Sequence, residues 1–214
     1  MQAIDRIVIS HNWITITIVF AMLLLFVLKK VDQTRLLGYS KSFFITGFIE
    51  KKAAEKQSFF SFFNLLIFAF SMLVISLSFL LLLQQFLPEY TFGFSFFSAL
   101  LGFVATYFLI FLATDMALSS VFQIKNELNY FIVSKMSYVY AISLWLFPVL
   151  IITVYGLENS MVLAVSMSVL FALRIALIFT NNKKLIVSKL FYLILYLCAL
   201  EIAPLLIFYK TAIQ

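Results

Sequence analysis

Two ionisable side chains stand inside long apolar runs: Arg174 in SVLFALRIALIF and Glu201 in LYLCALEIAPLL. Holding a charge in hydrocarbon costs at least ~2.5–3.5 kcal/mol, so such a residue has a partner, a water-filled path or a ligand. At 1.5 Å per helical residue their depths differ by roughly 12 Å. Side chains lean toward the helix N-terminus, so on two antiparallel neighbours these two lean toward each other. Asp115, at the end of an earlier apolar run, competes for Arg174. Two chemistries are open. One is a buried ion pair that stabilises assembly; the other is a proton or ion relay, or an anionic-ligand site at Arg174.

Proline sharpens both regions. Pro204 cannot donate to the carbonyl of Leu200 and leaves a free acceptor beside Glu201 on a kinked helix. Ile194, Leu197, Cys198 and Glu201 share a face, which should turn into a bundle because lipid offers the carboxyl no partner. Pro148 similarly frees the Leu144 carbonyl near Trp145. Both prolines are hinge or packing candidates. Ala164, Ser168, Ala172 and Ala176 repeat every fourth residue, the small-residue pattern that lets membrane helices approach closely. By this pattern the helix that carries Arg174 is central.

Other chemistry is missing. There is one histidine, His11, and one cysteine, Cys198, too few for a bis-histidine haem or a zinc site. No metal or other cofactor is expected. No phosphate loop, HExxH or GxSxG motif occurs, and no paired-Asp or Ser-His set lies within a span. The chain is read as a non-enzyme.

The elements that position these residues follow from composition. Apolar residues are 64% of 214 and charged residues 11%, more apolar surface than a soluble globule can bury. Six runs approach or exceed the ~20 residues that cross a bilayer core. They lie near 10–28, 59–83, 95–114, 137–156, 160–180 and 187–209. None alternates in the manner of a barrel strand. The expectation is an all-α polytopic integral membrane protein, one transmembrane domain over 1–214 with six transmembrane helices. The first run ends in Lys29-Lys30 without a small-residue cleavage site, so it is expected to remain in the mature protein.

Basic residues orient it. Twelve of the fifteen Lys and Arg fall in 29–57, 115–136 and the stretch after the fifth run. The loops QQFLPEYTFGF and LEN have none. Lys and Arg favour the cytoplasmic side, so both termini are expected to be periplasmic. The +6 net charge thus reports topology rather than nucleic-acid binding. Two cytoplasmic segments are amphipathic. Residues 116–133 read as an interfacial helix, and 36–49 should lie on the membrane or pack under the bundle. They can anchor to lipid or dock a partner. Trp13, Tyr90 and Tyr155 mark one interface and Tyr138 and Tyr140 the other, while the Phe runs at 59–63 and 92–97 are expected to face lipid.

The run KLFYLILYLCALEIAPLLIFYK, residues 189–210, resembles the C-terminal part of a Bacteroidetes membrane-protein family known as domain of unknown function 4271. The lysine-rich first loop, the polar stretch near 181–184 and the total length fit as well. Glu201 and Pro204, three apart inside a span, match its motif. The resemblance implies a multi-span protein of the bacterial inner membrane and no activity. The functional expectation is a subunit or assembly factor of an envelope complex, partnered by lipid and by other envelope membrane proteins or itself. The alternative is a small solute or ion transporter or channel that uses Arg174 and Glu201.

Overall fold

A computed structural model describes residues 12–43, 47–54, 61–87, 90, 92–121, 125–156 and 161–181. Seven helices and no strand occur among the described residues. They are α1 (Asn12–Val31), α2 (Gln33–Lys41), α3 (Gly47–Ala54), α4 (Phe62–Phe86), α5 (Phe94–Val121), α6 (Lys125–Tyr155) and α7 (Met161–Asn181). Five of them (α1, α4, α5, α6 and α7) are long and apolar enough to cross a membrane. They match the first five expected spans. The sixth, 187–209, lies outside the described residues.

The long helices alternate in direction. Trp13 at the start of α1 meets Phe94 and Phe97 at the start of α5, with ring centroids 6.2 and 5.5 Å apart. The ends of α4 and α6 meet the start of α7 around Gln85, Thr153 and Leu163. This is the aromatic end of the bundle, where Tyr90 and Tyr155 are also exposed. Lys29, Lys30, Arg35, Lys52 and Lys135 belong to the opposite, basic end.

Asp32 makes the sharp turn there. Its N–H donates to the Leu28 carbonyl and closes α1. Its carboxylate accepts from the Arg35 N–H at 3.0 Å and the Thr34 hydroxyl at 2.7 Å, and so caps α2. Arg35 Nε completes an ion pair at 2.8 Å. Burial pushes the Asp32 carboxyl up, but the Thr34 and Arg35 hydrogen bonds and the Arg35 charge outweigh it. The net result is a carboxyl held below its ordinary value.

Helices α2 and α3 pack under the bundle, the second of the two placements expected for 36–49. Tyr39 and Ile49 are fully buried. The Tyr39 ring contacts Phe48, Phe63 and Tyr140, drawn from α3, α4 and α6. Gly38 makes room for this, because a Cβ there would collide with the Phe48 ring. Trp145 leans toward the start of α6 and donates from Nε1 to the Ser40 carbonyl at 3.0 Å.

Four sequence expectations are corrected. Residues 116–133 are not a separate interfacial helix: they divide between the end of α5 and the start of α6, on either side of 122–124. Nothing between 114 and 121 breaks a helix, and apolar spacing cannot tell a continuation from a new element. At 28 and 31 residues, α5 and α6 extend ~42 and ~46 Å, beyond a ~30 Å core. Second, the helix carrying Arg174 is peripheral among the described residues. Over the apolar windows, 56% of both α4 and α6 is buried, against 11% of α7. Residues 132–143 of α6 are buried on every face, wrapped by α2, α3, α4 and α5. Third, Tyr138 and Tyr140 are core residues rather than an interfacial belt. Fourth, the Phe runs are split: Phe62, Phe94 and Phe96 are exposed, but Phe63 and Phe97 are buried.

Candidate functional site

The most continuous polar feature is a stripe on α4. Asn64, Ser71, Ser78 and Gln85 fall seven residues apart, so each successive side chain drifts by only ~20° around the helix. Seven-residue periodicity is what two helices keep when they coil around each other at a shallow angle. The partner is α6, which runs parallel to α4.

Each position on the stripe has a distinct neighbour. At the basic end, Asn64 Oδ1 accepts from Lys52 Nζ at 3.3 Å. The same ammonium lies 4.1 Å from the centre of the Tyr39 ring. At mid-height, Ser71 Oγ lies 2.7 Å from Ser143 Oγ of α6, and both residues are fully buried. Ser71 also reaches the Ile67 carbonyl and Ser143 the Tyr140 carbonyl, each at 2.8 Å. Two hydroxyls hold two protons, so these three acceptor contacts share them. About two turns further on, Ser78 donates to Val74 O at 2.8 Å. At the aromatic end, Gln85 lines a cavity of about 230 Å³ with Leu81, Gln84, Thr153, Val154 and Leu163. Its Oε1 is buried and has no hydrogen-bond partner among the described residues.

A second polar feature is Lys135, which is only 3% exposed. Its ammonium sits 3.7 Å from the centre of the Phe111 ring of α5. The negative face of an aromatic ring is among the few apolar-side partners that a desolvated ammonium has. Lys135 was expected in a cytoplasmic segment; it stands instead at the buried start of the α6 span.

The residues singled out from sequence are dispersed. Arg174 is half-buried on α7. It continues the face of Leu163 and Met167, which is buried against the bundle, and is itself engaged in an interaction. Counting back along the antiparallel α6–α7 pair from the Val154–Leu163 level places Arg174 about level with Ser143. Ala164 is half-buried, whereas Ser168, Ala172 and Ala176 face away from the described helices. Pro148 lies on an exposed face of α6, which continues through it as helix. Asp115 is in α5, one turn beyond Phe111, and its side chain lies outside the described set. Glu201, Pro204, Cys198 and His11 are outside the described residues. No group of three or more His, Cys, Asp or Glu that could hold a metal occurs among the described residues.

The residues singled out from sequence are charges, prolines and small residues, and the α4 stripe is not among them. The signal is present: four of the six polar residues of α4, Asn64, Ser71, Ser78 and Gln85, recur every seventh position, with only Ser76 and Gln84 off the stripe. Lys135 carried no such signal, because a lysine beside a span end is ordinary when it is solvated.

An all-helical membrane protein is the class that these long apolar helices and neutral buried polar contacts define. The chain matches the family model described as Domain of unknown function (DUF4271) over residues 14–212. It belongs to that family. No curated protein and no solved structure matches it.

Proposed function

We propose that this protein is a non-enzymatic, integral subunit or assembly factor of an envelope complex in the bacterial inner membrane. It crosses the membrane six times, with residues 187–209 as the last span and both termini in the periplasm. The gathering of Lys29, Lys30, Arg35, Lys52 and Lys135 at one end of the bundle supports that orientation.

The observation that carries the reading is the use of the buried hydroxyls. Ser76 and Ser134 have no hydrogen-bond partner among the described residues, but Ser71, Ser78, Ser137 and Ser143 all bond helix carbonyls, and Ser71 and Ser143 bond each other. They join α4 to α6 and stitch their own helices. None is titratable in the physiological range. The space among Thr17, Ala21, Val74, Phe147 and Leu150, where α1, α4 and α6 meet, has no room for a water. Polar side chains spent in this way hold helices together. Broad apolar faces on α1, α5 and α7 remain for lipid or for other membrane proteins.

One observation favours a small transporter or channel. Arg174 is half-buried at mid-height on the inner face of α7, where a charge facing Glu201 across a path would belong. Glu201→Gln separates the two readings. The subunit reading expects lower abundance or lost assembly, with no flux phenotype. The transport reading expects normal abundance and loss of a pH-dependent flux in proteoliposomes.

A further inference from the structure

The cavity at the aromatic end has a chemistry of its own, and it does not rest on the subunit reading. Three helix termini surround it: Gln85 is one residue from the end of α4, Thr153 two from the end of α6, and Leu163 two from the start of α7. Two C-termini and one N-terminus leave a net negative partial charge, since helix C-termini carry about −0.5 each and N-termini about +0.5. The polar atoms add to this. Thr153 donates its proton to the Val149 and Leu150 carbonyls and so offers only lone pairs to the cavity. Gln85 Oε1 is a buried acceptor with no donor among the described residues. A buried acceptor left unmatched costs free energy, so a ligand that brings a donor is favoured. The rest of the lining is Leu81, Val154, Leu163 and Gln84, whose amide can accept or donate. At about 230 Å³ the space lies below the ~300–1,000 Å³ of drug-sized pockets and suits a small group.

We propose that this cavity binds a primary ammonium group, with Gln85 Oε1 and Thr153 Oγ1 accepting from it and the α4 and α6 C-termini supplying the field. The ammonium can belong to the head group of an aminophospholipid, because exposed Tyr90 and Tyr155 put the cavity at interface depth. It can equally belong to a free small amine.

The test uses the full chain in phosphatidylcholine nanodiscs, whose quaternary head groups have no N–H. Free ethanolamine is titrated in one arm and phosphatidylethanolamine is mixed into the discs in the other. Thermal stability and native mass are read for wild type, Gln85→Leu and Gln85→Glu. Saturation is expected to raise Tm by about 2–4 °C. A response to the lipid alone assigns the head group, and a response to ethanolamine alone assigns a free amine. A response to both assigns the ammonium itself. In each case Gln85→Leu should abolish the shift, and Gln85→Glu should tighten binding about ten-fold by adding a charge. No shift in wild type, or a shift unchanged in Gln85→Leu, overturns the proposal. Should Gln85→Leu fail to fold, Gln85→Glu decides: binding no tighter than wild type overturns it.

Discussion

A serine in a membrane helix has two ways to satisfy its hydroxyl, and this protein uses both at one point. Ser71 and Ser143 each have a carbonyl of their own helix within reach, yet their oxygens lie 2.7 Å apart across the α4–α6 contact. Because either can fall back on its own backbone, the cross-helix bond contributes modestly. Ser71→Ala and Ser143→Ala should each cost about 0.5–1 kcal/mol, with a coupling near 0.6 kcal/mol. A double-mutant cycle on reversible unfolding in detergent checks this, and strict additivity would assign each hydroxyl to its own helix. Asp32 poses the opposite case, a charged cap at the surface. Its folded carboxyl is held below the ordinary value of 3.8, so its contribution is complete above that value. The contribution is lost as pH falls through the lower, folded value. Amide exchange in the first turn of α2 should therefore be flat from pH 7 to 5 once corrected for intrinsic rates, and should accelerate below about pH 4. Asp32→Ala should show fast exchange at every pH, with a cap loss of about 1 kcal/mol.

At the scale of elements, α2 and α3 act as a wedge under α6. The wedge depends on Gly38, since only a residue without a Cβ lets the Phe48 ring close over Tyr39. Gly38→Ala should displace Phe48 and cost about 1–3 kcal/mol, read as a lower Tm and faster exchange in α2 and α3. Unchanged exchange in both would mean that the ring can swing aside. Helix existence was legible in the sequence because a run such as LLIFAFSMLVISLSFLLLL permits little else. The first five spans fall within about five residues of the apolar stretches of their helices, although α5 continues to Val121 and α6 begins as early as Lys125. Helix neighbours were less legible. A stripe of Ala and Ser says that a helix can be approached, not that it is; on α7 the residues buried against the bundle are Leu163 and Met167, one face over. The central helix, α6, carried no comparable mark, since its stretch 132–143 is buried on all sides and has no solvated face to give it away. Its Tyr138, Tyr140 and Lys135 instead resemble the residues of a membrane surface.

For the whole molecule, the partition of charge is the main constraint. Among the described residues most charged groups gather at one end while Arg174 stands at mid-height on α7, the contacts between α4 and α6 there are neutral, and large apolar faces point outward. Such a bundle is stable in lipid and offers its outer helices to neighbours. We propose that those neighbours include other proteins of an envelope complex. The most direct measurement is purification of the tagged chain at native abundance in mild detergent, followed by mass spectrometry and native mass. Stoichiometric recovery of other envelope membrane proteins, lost in Glu201→Gln, is the result expected. A monodisperse species containing only this chain, active in proteoliposome flux, would contradict it and give Arg174 and Glu201 to transport.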